Sequence, residues 1–83
     1  MIRINILRFA KAMERTLQKN DHKGGWETCT QGYLRRRMKD EVRELDRAFK
    51  KKDVGSVKQE CTDIANFAMM IFDTICKDDF EWS

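Results

Sequence analysis

The chain has 83 residues and a mass of 9.9 kDa. Area scaling gives about 5,200 Å² folded against about 14,400 Å² unfolded, so about 64% of the surface is buried on folding. That excludes a two-domain enzyme, a doubly wound sheet or an eight-stranded α/β barrel, and reads residues 1–83 as a single domain. Charged residues make up 37% and hydrophobic residues 41%, with no proline, which favours long uninterrupted helices over a loop-rich sandwich.

The net charge of +3 is unevenly placed. Residues 1–52 carry 15 Lys/Arg and 7 Asp/Glu, whereas residues 53–83 carry 2 and 7. Two oppositely charged halves packed together would explain this. So would a basic surface for phosphate-bearing partners beside an acidic cluster for a cation.

Ile2, Ile6, Phe9, Met13 and Leu17 recur at steps of three and four, predicting a helix over 2–19. Its start, Met1–Ala12, holds three bases and no acid, as a targeting segment would. Because the same periodicity runs on to Leu17, an amphipathic first helix is the better reading. Asn20–Gly25 gathers turn residues that break it. Leu34, Met38, Val42, Leu45 and Phe49 predict a second helix over 28–51, capped by Thr28 or Thr30, with Lys50–Lys52 suiting the dipole at its end. Asp53–Ser56 is a short connection, and Ser56 with Gln59 has capping-box spacing. Val57, Ile64, Phe67, Ile71 and Ile75 predict a third helix over 56–77. A tail follows, carrying Phe80 and Trp82. The expected fold is an all-α bundle of three main helices, with the last two forming an antiparallel hairpin and oligomerisation completing a thin core.

The apolar stretch Ala65–Ile71 is interrupted by Asn66 and is too short to span a bilayer. Cys29, Cys61 and Cys76 are odd in number and lack CxxC spacing, so they read as reduced core thiols of a cytoplasmic protein.

The informative residues are acids on apolar stripes. With about 100° per residue, Ile64, Ile71, Phe67 and Val57 fall within about 60° of Glu60, and Asp63 borders the same stripe. On the second helix Glu41 lies among Leu34, Leu45, Met38 and Ala48, with Glu44 at the edge and Asp40 further round. Buried carboxylates are costly unless paired or bound to metal. Arg37 precedes Glu41 by four and Arg36 precedes Asp40 by four, so local ion pairs are available there. Glu60 has no base one turn away. If the hairpin brings Glu41, Glu44, Glu60 and Asp63 together, four oxygen ligands suit Mg²⁺ or Mn²⁺ better than zinc.

Asp40-Glu41-Val-Arg-Glu44-Leu followed by Glu60-Cys-Thr-Asp63-Ile resembles the EExxE…ExxD signature of the MazG-like nucleotide pyrophosphohydrolases, in the all-α NTP pyrophosphatase superfamily. The resemblance covers residues 40–73 and, more loosely, extends back to Lys23. It implies a Mg²⁺-dependent enzyme that cleaves nucleoside triphosphates to monophosphate and pyrophosphate in nucleotide-pool house-cleaning. It also implies a homodimer or homotetramer. By resemblance the metal ligands are Glu41, Glu44, Glu60 and Asp63, and the catalytic set is Asp40, Glu41 and Glu44. Asp40 stands where the family has Glu. Asn66 would reach ligand or sugar, or bond across helices.

Further candidates lie nearby. Trp26 would stack on a base and Lys23 meet phosphate, or Trp26 would simply anchor the core. Arg37 would contact a triphosphate. Another class of function is a small basic helical module binding nucleic acid or a partner helix through Arg35–Lys39 and Lys50–Lys52. That reading leaves Glu41 and Glu60 unexplained, and nucleic acid is disfavoured. A third is a family relative that has lost activity.

Overall fold

The computed structural model describes residues 1–77; Phe80 and Trp82 lie outside the described residues. The fold is all-α, with no strand among the described residues. Helix α1 spans Ile4–Lys19, α2 spans Gln31–Lys50 and α3 spans Val54–Ile75, with a single 3₁₀ turn at Asp21–Lys23. Gly24, at φ 89°, turns the chain out of that 3₁₀ turn in the left-handed region where a side chain would be strained.

The helix ends follow local chemistry. Thr30 caps α2, its hydroxyl accepting from the Tyr33 amide at 3.1 Å. The α2–α3 connection is a Schellman turn: the Lys52 amide bonds the Phe49 carbonyl and the Asp53 amide bonds the Ala48 carbonyl. Lys52 occupies its left-handed position at φ 54°, where glycine is usual. Asp53, not Ser56, caps α3. Its carboxylate accepts from the Ser56 amide at 3.1 Å and from the Ser56 hydroxyl at 2.8 Å. The third helix thus begins two residues earlier than its apolar periodicity suggests. Those two bonds hold the Asp53 carboxyl below its ordinary pKa.

Antiparallel α2 and α3 pack along most of their length, as the three-residue connection requires. Helix α1 packs on α3 and on the 3₁₀ turn but makes no close backbone approach to α2. A cleft therefore opens between α1 and α2, floored by α3. The core is thin: among the described residues only Leu34 and Ala48 are buried apolar side chains, with Thr62 and Asn66 as buried polar ones. Ile2, Ile4, Ile6, Leu7 and Phe9 are exposed at the start of the chain, and Phe49, Val54 and Phe72 on the hairpin. Cys29 and Cys61 are half-buried thiols, but Cys76 is exposed beyond the last turn of α3 and is not a core residue. No described helix is long and apolar enough to cross a membrane.

Candidate functional site

Antiparallel pairing sets Glu41 of α2 opposite Glu60 and Asp63 of α3. One carboxylate oxygen from each lies within 4.8 Å of the others. Glu41 is largely buried, at 12% side-chain exposure, and bonds Arg37 at 3.1 Å. The Arg37 guanidinium also bonds Asp40 at 3.2 Å and lies 5.5 Å from the centre of the Phe67 ring, a cation–π arrangement. The i,i+4 pair available to Glu41 therefore forms, while Asp40 pairs with Arg37 and Arg43 rather than Arg36.

Glu60 is different. Its Oε2 is buried with no hydrogen-bond partner. Burial above all, then contact with the Glu41 carboxyl and the charges of Glu41, Asp63 and Glu44, push the Glu60 carboxyl up to about 7. Asp63 is also raised, first by burial and then by Glu41, against the opposing hydrogen bond from Gln59. That bond, Gln59 Nε2 to Asp63 Oδ1, is 2.9 Å, and the same nitrogen lies 3.3 Å from Thr16 Oγ1 on α1.

Glu41 and Asp63 face the α1–α2 cleft, with Glu60 behind them. A cavity of about 340 Å³ there is lined by Lys23, Arg37, Glu41, Asp63 and Asn66, with Tyr33, Phe67 and Met70. Asn66 is buried; its Nδ2 donates to the Met13 carbonyl at 3.3 Å, and its Oδ1 has no partner. A second cavity of about 400 Å³ shares Tyr33, Phe67 and Met70 and is walled by Gly24, Gly25 and Trp26. Trp26 is half-buried, and its Nε1 donates to Asp73 Oδ2 at 2.9 Å. The indole thus ties the loop to the end of α3.

Of the nine residues marked in the sequence, the cleft gathers Lys23, Arg37, Glu41, Asp63 and Asn66. Glu60 joins through the acid cluster and Trp26 through the adjoining cavity. Glu44 and Asp40 stay on the exposed rim. Glu44 pairs with Arg47, and neither belongs to the three-acid cluster. Glu44 sat at the edge of its stripe, and an arginine three residues on draws it to the surface.

Three contributors carried less signal. Gln59 precedes Asp63 by four, a spacing at which Gln–Asp bonds form on a helix. Thr16 and Asp73 meet their partners 43 and 47 residues away, and no local pattern announces such contacts.

The donor set fits a hard divalent cation. It is all oxygen, three acids converge, and a buried carboxylate oxygen lacks a partner. No protein family, curated protein or solved structure matches the chain.

Proposed function

We propose that the chain is a Mg²⁺- or Mn²⁺-dependent nucleoside triphosphate pyrophosphohydrolase that yields monophosphate and pyrophosphate and clears unwanted nucleotides from the cellular pool. The observation that carries this reading is the meeting of Glu41, Glu60 and Asp63 oxygens within 4.8 Å, on the wall of a cleft that also holds two cations. Glu41, Glu60 and Asp63 would hold the metal; by the motif resemblance Glu44 would join them on exchanging its Arg47 partner for the ion. When bound, the ion offsets charge developing on the phosphate oxygens and lowers the pKa of a coordinated water.

The chain's own residues supply the rest. Lys23 and Arg37 draw the phosphates into the cleft. The unpartnered Asn66 Oδ1 accepts from a sugar hydroxyl. Trp26, held by Asp73, offers a flat apolar wall to the base. A rim carboxylate, Asp40 or Glu44, takes the proton of the attacking water. The exposed apolar residues of α1 and the hairpin support a homodimer or homotetramer.

A pyrophosphate-release screen over the common NTPs and dNTPs tests the reading. Release with Mg²⁺ or Mn²⁺ that stops on chelation is the expected result. Intact nucleotides throughout, with Mg²⁺ still raising the melting temperature, would leave a metal-binding relative without this activity. Binding of duplex DNA with a steep salt dependence and no hydrolysis would replace the reading with nucleic-acid binding.

A further inference from the structure

A third cavity, outside the acid cluster, runs along the seam between α1 and α3. It measures about 160 Å³ and is lined by Arg15, Thr16, Lys19, Lys58, Gln59 and Thr62, with Ala12 and Gly55, and by no carboxylate. That volume is on the scale of a phosphate group. Its three cations take part in no ion pair among the described residues. Arg15 and Lys19 are one helical turn apart, where like charges destabilise a helix, and Lys58 adds a third from the facing helix. The acid nearest along the chain to Arg15, Glu14, accepts instead from Gln18. Three solvent-exposed cations lining one concave seam, with no ion-pair partner among the described residues, make a local positive potential that favours an anion.

The cavity adjoins the candidate site. Thr16 lines both this cavity and the one holding Glu41 and Asp63. Gln59 bridges the two, bonding Thr16 on one side and Asp63 on the other. From end to end the molecule therefore presents an aromatic cavity at Trp26, then the three acids, then a basic pocket.

We propose that the Arg15–Lys19–Lys58 pocket binds the pyrophosphoryl portion of the nucleotide and holds inorganic pyrophosphate before release. The assignment of the anion as substrate and product rests on the proposed hydrolysis; the anion site itself does not. The polarity sets the substrate's direction, with the base toward Trp26 and the distal phosphates on the α1–α3 seam.

The test is titration of the full chain with inorganic pyrophosphate in EDTA, followed by amide NMR. The expected shifts fall on Thr16, Lys19, Lys58 and Gln59. The Arg15→Gln/Lys58→Gln double variant should weaken pyrophosphate binding by about tenfold, the sum of two modest charge contacts. Lys58→Arg should retain it, and the Mg²⁺-induced rise in Tm of the double variant should match the wild type, which shows the fold and acid cluster intact. Unchanged affinity in the double variant, or shifts confined to Lys23 and Arg37, would overturn the proposal. Pyrophosphate binding on the seam without any nucleotide hydrolysis would sink the enzymatic reading and leave the anion site standing. Hydrolysis with no pyrophosphate effect at these residues would do the reverse.

Discussion

At the scale of single residues, Glu60 is the clearest departure from ordinary packing. Its carboxyl is raised to about 7 by burial and by neighbouring acids. A carboxyl raised on folding binds its proton more tightly in the folded chain. It therefore stabilises the metal-free protein at pH values below its ordinary range, and that contribution is lost as pH rises through about 7. The metal-free wild type should be more stable at pH 5 than at pH 8. Glu60→Gln should flatten this dependence and raise Tm at pH 8 by roughly 4–8 °C, the increment about 1 kcal/mol gives a domain of this size. Thermal melts in EDTA at both pH values check it; a wild-type Tm that climbs from pH 5 to 8 in parallel with the variant would contradict the assignment. Glu60 and Glu41 were legible in the sequence because a charge on an apolar stripe is conspicuous. The Trp26–Asp73 bond was not, since nothing local links a loop indole to an acid 47 residues on.

At the scale of elements, the helices were readable and their ends less so. The periodicity marked all three, but 28–51 shortens to Gln31–Lys50 and 56–77 shifts to Val54–Ile75. Stripe positions report which face is buried, whereas ends depend on which side chain reaches a free amide. At α3, Asp53 outcompetes Ser56 by accepting from it. The turn before it holds Lys52 at φ 54°, a conformation costing a residue with a Cβ about 1–2 kcal/mol. Glycine avoids that cost but loses about 0.5–1 kcal/mol more chain entropy on folding. Lys52→Gly should therefore stabilise the protein by roughly 0.5–1 kcal/mol, seen as a Tm several degrees higher. A lower Tm would mean that the lysine side chain contributes more than its backbone strain costs.

At the scale of the whole molecule, the surface is too large. The chain exposes 6809 Å², against about 5,200 Å² for a compact monomer of this mass. All of residues 1–10 are exposed, and five of them are large aliphatic or aromatic side chains within Ile2–Phe9. The thin core of a three-helix chain already pointed to oligomerisation in the sequence; which apolar residues are left uncovered, Ile2–Phe9 above all, took the structure to show. Sedimentation at high micromolar concentration should give a dimer or tetramer mass, and Phe9→Glu or Ile6→Glu should shift it toward the monomer. A wild-type monomer at that concentration would remove the basis for oligomerisation.

The arrangement of α1 also bears on how quickly and in what order the molecule assembles. The α2–α3 hairpin joins neighbours in sequence through a three-residue turn, so its loop closure costs little and it can form on the fast timescale of local helical contacts. Among the described elements, helix α1 meets only α3 and the 3₁₀ turn, and its ties through Met13–Asn66 and Thr16–Gln59 close loops of 53 and 43 residues. Docking of α1 is thus the slower event. The cleft, the Trp26 cavity and the basic seam all have α1 as a wall, so these three concave surfaces are completed in the same step that completes the fold, and any ligand bound in one of them would act as a clamp on that final step.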